Sequence, residues 1–237
     1  MAWKKTKMIN GSFKYREKNF NEIVPMAKDA LQLDMIPRRT RDGRVLKQGT
    51  EVMPGGPDTY HGYGLSWANA SNTPFREYKH WVHEGGISSP LIAHWPKGID
   101  ANRHGKLESQ PSHLIDLMAT CVDLGKATYP KKVGDQEIVP LQGVSLAPAF
   151  NGKDVNRKVP IFWEHEGNRA VREERWKLVA KGARGAWELY DLKADRTELN
   201  DLAAKQPERA KAMADRWEAW AIEAKAKPWP WGGKKKK

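Results

Sequence analysis

A single cysteine, Cys121, in 237 residues excludes an internal disulfide framework and every multi-cysteine zinc site. No stretch approaches the roughly 18 consecutive apolar residues that a membrane-spanning helix needs, so no membrane span is expected. The basic amino terminus has no apolar run behind it of the signal-peptide kind, and the compartment stays unknown from these residues. Acidic residues are scarce at the two ends. Residues 1–50 carry 12 Lys/Arg against 5 Asp/Glu, and residues 225–237 carry six lysines and no acid, so nearly all of the net charge of +12 lies there. A nucleic-acid binder places its basic stripe on a folded face beside groove-reading or aromatic groups. Charge confined to the ends argues against that class, and nucleic acid is not an expected partner.

The generic catalytic patterns are missing too. Gly143-Val144-Ser145-Leu146-Ala147 lacks the final glycine that a nucleophile elbow needs in its strained turn. His83-Glu84-Gly85-Gly86-Ile87 opens like a zinc-protease helix but has Ile87 where the second histidine belongs. His61, His80, His83 and His94 form no complete ligand spacing, so no metal is assigned to the chain.

What is present reads as α/β. Residues 21–35 repeat Val24, Ala27, Leu31 and Met35 at helical spacing, and residues 53–74 read as a long irregular loop rich in Gly, Pro, Ser and Asn. Residues 89–95 (SPLIAHW) have the form of a buried strand stopped by Pro96-Lys97-Gly98. Residues 112–124 place Leu114, Leu117, Met118, Cys121 and Leu124 on one helical face, with Ser112 as cap and Gly125 as stop. After Val159 come three short strand-like runs, VPIFWEH, RAVREERWKLVA and AWELYDL, which predict a small antiparallel sheet. A helix over 207–225, with Ala210, Met213, Trp217, Trp220, Ala221 and Ala224 on one stripe, is expected to cover it.

One segment is more specific than any of these: residues 72–96, NTPFREYKHWVHEGGISSPLIAHWP. It follows the pattern Pro-x-Arg-x-x-Lys-x-x-x-x-Glu-Gly-Gly-x-x-x-Pro and resembles the sulfatases of the alkaline-phosphatase superfamily, most of all the bacterial arylsulfatase type. The likeness continues through Ser112-His113-Leu114-Ile115-Asp116-Leu117-Met118, Leu141-Gln142-Gly143-Val144-Ser145-Leu146, Trp187-Glu188-Leu189-Tyr190-Asp191-Leu192 and Glu198-Leu199-Asn200-Asp201-Leu202, spanning residues 59–231.

The resemblance implies an incomplete alkaline-phosphatase-like fold: the last strand and helix of the large sheet domain, plus a small carboxy-terminal antiparallel sheet covered by a helix. It divides the chain into a poorly matched basic segment (1–55), a carboxy-terminal part of the catalytic domain (56–150) and a small α+β subdomain with a lysine tail (151–237). It further implies sulfate-ester hydrolysis with a formylglycine and a divalent cation, usually calcium. In the family pattern the lysine ahead of Glu-Gly-Gly contacts the sulfate, which points to Lys79. Arg76 and His80 are candidates for the substrate mouth, and Glu84, Gly85 and Gly86 for the turn that presents Lys79.

The parts that would make hydrolysis possible are not in the sequence. Cys121 is followed by Val-Asp-Leu-Gly where the formylglycine motif needs Pro or Ala and then Arg, and no Asp-Asn-Gly occurs. The expectation is a truncated chain, inactive alone, binding no cofactor itself, with a missing amino-terminal half as partner and a sulfate ester as the parent enzyme's substrate. Sulfatases of this type are commonly periplasmic or secreted. The alternative is a non-catalytic module that binds anions or sulfated glycans.

Overall fold

The computed structural model of the chain describes residues 38–47, 52–53, 55–60 and 64–227. The helix expected over 21–35 lies outside them. The chain divides into two compact units, Met1–Gly64 and Leu65–Lys237. In the first, the described residues make an antiparallel bridge, Arg39 to Val45, around a turn closed by Thr40 and Gly43, and a parallel bridge from Lys47 to Thr59.

The elements run α1 (Gly64–Ser71), α2 (Glu84–Ile87), a 3-10 turn (Ala101–Arg103), α3 (Ile115–Leu124), β1 (Lys132–Val133), β2 (Gln136–Glu137), α4 (Ala147–Phe150), β3 (Ile161–His165), β4 (Asn168–Glu173), β5 (Trp176–Ala180), β6 (Glu188–Asp191) and α5 (Pro207–Glu223). Strands β3 to β6 form an antiparallel meander in sequential order. The run RAVREERWKLVA, expected as one strand, is a hairpin: Glu173 pairs with Trp176, and Glu174 takes a positive φ at the turn. Four strands therefore stand where three were expected.

Because strand side chains alternate between faces, the sheet has two interiors. Val171, Leu178 and Leu189 point to one side and meet Met213, Trp217 and Ala221 of α5. The apolar stripe of that helix recurs at three- and four-residue steps, and Pro207 opens it without costing an internal hydrogen bond. Trp217 is almost fully buried and donates its Nε1–H to the carbonyl of Trp163 at 2.9 Å. On the opposite face Ala170, Val179 and Tyr190 pack with Val82, and Ile87 lies against them. The loop that carries the Glu-Gly-Gly sequence thus covers the second face of the sheet.

Helix α3 departs from its expected setting. Its buried side is Asp116, Ala119 and Thr120, whereas Leu114, Leu117, Met118 and Leu124 are exposed and Cys121 is exposed with them. Polar contacts hold the buried side. The Asp116 carboxylate accepts from the backbone of His113 and Val144 and pairs with Arg157, and the Thr120 hydroxyl accepts from the Leu146 backbone at 2.8 Å. Loop 141–146 is thereby fastened to the polar side. A Cβ on Gly143 would lie 2.2 Å from the Ile115 carbonyl, which explains the glycine in that motif. Ser112 does not cap the helix; Asp116 reaches back to the His113 N–H instead.

Two further expectations are corrected. Residues 89–95 form no strand, and Leu91 and Ile92 are exposed: a strand needs a hydrogen-bonding neighbour, and none lies beside them among the described residues. Within the segment read as an irregular loop, residues Gly64–Ser71 are helical.

Candidate anion-contact turn and its buried support

Lys79 and His80 sit at the corner of a turn closed by the Trp81 N–H donating to the Tyr78 carbonyl at 3.1 Å. Both are exposed. His80 has φ of +94°, a conformation that a bulky side chain rarely takes without external support. The support comes from the β3–β4 hairpin: the amide of buried Asn168 donates to the His80 carbonyl at 3.0 Å, and Glu166 meets the His80 Nδ1 at 2.5 Å.

Behind the turn, Gly85 and Gly86 allow α2 to press against it. A Cβ on Gly85 would lie 2.2 Å from the Arg76 carbonyl, and one on Gly86 would lie 2.0 Å from the Trp81 carbonyl. The Gly85 N–H donates to the Arg76 carbonyl at 2.9 Å, so the segment bearing Lys79 is fastened at its Arg76 end to this glycine pair.

Glu84, next to the glycines, is buried and binds across the sheet. Its Oε1 lies 3.0 Å from the ammonium of Lys177 on β5, its Oε2 lies 3.4 Å from Arg196, and its backbone N–H donates to Glu198 at 2.8 Å. Lys177 also lies 2.8 Å from Glu198, and none of its side chain reaches solvent. Burial on its own would raise the Glu84 carboxyl, but Lys177, aided by Arg172 and Arg196, outweighs burial and holds it below the ordinary carboxylate range. Two carboxylates around one buried ammonium satisfy the rule that buried charges are paired.

A second group lies beside it. Arg76 donates to the Tyr190 hydroxyl at 3.0 Å and to the Glu198 carbonyl, so its guanidinium faces the sheet. Fully buried His83 contacts Glu188 at 3.2 Å through Nε2, and the Tyr190 hydroxyl donates to the same carboxylate at 2.6 Å. Burial pushes the Glu188 carboxyl up, but His83, Tyr190 and Arg76 together bring it down to about 2. Burial and the Glu188 carboxylate push the Tyr190 phenol up in turn.

His83 and His94 do not join His80. The group of three or more donors found among the described residues is His80, His165 and Glu166, with all ligand atoms within 4.8 Å. Two imidazoles do not suit calcium, which takes oxygen donors. Cys121 lies on α3, far from the requirements of a formylglycine precursor by its flanking residues. Among the described residues the donors found together therefore do not fit the calcium that the resemblance implies, and the flanks of Cys121 do not fit a formylglycine. Lys177, Asn168 and His165 gave no sequence signal, because each reads locally as an ordinary strand or loop residue; Glu198 stood in a stretch that carries the resemblance, but with no role assigned.

Residues 76–219 match the family described as N-sulphoglucosamine sulphohydrolase, C-terminal. An uncharacterized sulfatase of Schizosaccharomyces pombe is 29% identical over 167 residues, which cover 68% of this chain and 30% of that protein. The arylsulfatase of Klebsiella aerogenes is 30% identical over 100 residues, 42% of this chain and 21% of that enzyme. The crystal structure of Ps i-CgsB superposes with a TM-score of 0.52 at 27% identity, covering 63% of this chain and 32% of that one. The chain thus spans about a third of the length of these relatives or less. Its helices and antiparallel sheet are part of the alkaline-phosphatase-like fold of such enzymes, and the chain belongs to the sulfatase family through its N-sulphoglucosamine sulphohydrolase carboxy-terminal domain.

Proposed function

We propose that this chain supplies the sulfate-contacting turn and the carboxy-terminal domain of a sulfuric ester hydrolase of the arylsulfatase type, and that these 237 residues do not hydrolyse esters alone. The observation that carries the reading is Lys79, exposed at the corner of a turn whose backing glycines tolerate no side chain. An ammonium there can neutralise a sulfate ester as charge develops on its leaving oxygen. His80 adjoins it on the same turn and is a candidate for the substrate mouth. Arg76 acts by holding the turn on the sheet. Residues 56–150 belong with the catalytic domain and 151–237 form the subdomain that braces it. A formylglycine would supply the nucleophilic oxygen and a divalent cation would polarise the sulfate; the donors found together among the described residues, His80, His165 and Glu166, do not suit calcium, and the flanks of Cys121 do not suit a formylglycine.

The test has two arms. The chain alone, given 4-nitrophenyl sulfate, is expected to release no nitrophenol. The part of this chain that matches the Klebsiella aerogenes arylsulfatase, extended to include Lys79, is then grafted in place of its counterpart in that enzyme. Turnover by the graft should fall on the order of 100-fold in kcat/KM on Lys79→Ala, the scale of losing one charge-stabilising donor. Turnover by the chain alone, or a folded Lys79→Ala graft of unchanged kcat/KM, overturns the reading.

An exposed Lys79, together with the basic composition of residues 1–50 and 225–237, supports a second reading, a module that retains sulfated glycans without cleaving them. Retention on heparin that falls with added salt and weakens on Lys79→Ala would favour it.

A further inference from the structure

We propose that His80, His165 and Glu166 form a surface site for a borderline divalent transition metal ion of the zinc class. One donor atom from each lies within 4.8 Å of the others. The two imidazole rings stand 5.3 Å apart and nearly perpendicular, and the His80 Nδ1 lies 2.5 Å from a Glu166 oxygen. A surface ion pair needs only His80 and Glu166. The presence of a second imidazole at the same point is what a metal uses.

The donors are held from beneath. His165 and Asn168 are the last paired residues of the β3–β4 hairpin, and the Glu166-Gly167 turn between them has φ of +51° and +86°. Two positive φ values in a two-residue loop match the twist of the flanking strands and set Glu166 beside His165. Asn168 is buried, and its amide nitrogen donates to the carbonyl of His80 and to that of His165, each at 3.0 Å. Its oxygen accepts from the Gly182 N–H at 2.8 Å, which fixes the amide's orientation. One buried side chain therefore locks together the backbones of both histidines, which come from segments far apart in sequence. It also holds His80 in its left-handed conformation. Sites of this kind depend on such outer partners to keep their donors in place.

The donor set selects the ion. Two imidazoles and a carboxylate suit zinc, nickel or copper(II), while calcium and magnesium prefer oxygen throughout. Three protein donors leave a coordination position for water or an anion. None of this rests on the sulfatase reading.

The experiment uses the full 237-residue chain, stripped with chelator, titrated with Zn²⁺ by calorimetry and with Co²⁺ by visible absorption. One Zn²⁺ per chain and a cobalt ligand-field band are expected. His165→Ala and Glu166→Gln should each weaken Zn²⁺ at least about tenfold, the loss that even an outer partner of a ligand causes. His94→Ala and His113→Ala should leave it unchanged. Should His80→Ala fail to fold, the shape-preserving Glu166→Gln carries the test. Absence of Zn²⁺ binding by the parent chain, or equal affinity in folded His165→Ala and Glu166→Gln, overturns the proposal.

Discussion

Glu84 and Lys177 meet at 3.0 Å across 93 residues of sequence, with almost none of either side chain exposed. This pair joins the Glu-Gly-Gly turn to the middle of the carboxy-terminal sheet, so the position of Lys79 depends on a strand that never approaches it in sequence.

Removing the ammonium should expose that dependence. Lys177→Met leaves Glu84 and Glu198 facing each other in a dry interior, and a cost of roughly 3–5 kcal/mol is expected from breaking one side of a buried pair. Urea unfolding of the 237-residue chain, followed by tryptophan fluorescence, measures it. The triple change Lys177→Met, Glu84→Gln, Glu198→Gln should recover much of the loss, because no unpaired charge remains.

Gly85→Ala forces a methyl group to within 2.2 Å of the Arg76 carbonyl. The turn must shift or the helix must lift, at about 1–3 kcal/mol for overpacking. A lowered melting temperature is expected, whereas alanine at Gly134, whose added Cβ would meet no atom within 4 Å, should cost only the strain of its positive φ.

The acid limb of stability should carry the signature of Glu188. Its folded-state value of about 2 is depressed below the ordinary 4.5. A depressed carboxyl contributes stability that is present above its unfolded value and lost as pH falls through its folded value. The parent chain should therefore lose urea resistance between about pH 4.5 and pH 2. Glu188→Gln should start less stable and show a shallower decline over that window; parallel profiles would contradict this assignment.

Trp217→Ala empties the centre of the helix–sheet interface and strands the Trp163 carbonyl. A loss of roughly 3–5 kcal/mol is expected for deleting a buried aromatic ring. Trp217→Phe should cost less, since part of the ring volume remains.

Helix α3 exposes Leu114, Leu117 and Met118 together. Adjacent exposed apolar groups promote association, so the purified chain should sediment in part as oligomers. Leu117→Lys with Met118→Lys should shift it towards monomer by analytical ultracentrifugation.

Local pattern marked the antiparallel sheet and its covering helix, though it missed the turn at Glu174 that splits one expected strand into β4 and β5. Alternation in residues 161–191 and the stripe of α5 each encode a period, and a period specifies which side chains share a face. The glycine pair behind Lys79 was marked for a related reason: two adjacent glycines, six and seven residues on, permit the close backbone approach seen at Gly85 and Gly86. Periodicity misled at α3, where Leu114, Leu117 and Cys121 formed the better apolar face but Asp116 and Thr120 were chosen for burial. The pairing of Glu84 with Lys177 and Glu198, and the meeting of His80 with His165 and Glu166, had no local signal at all. Charge pairing acts between side chains near in space, and only the folding of residues 76–87 over one face of the sheet brings those side chains together.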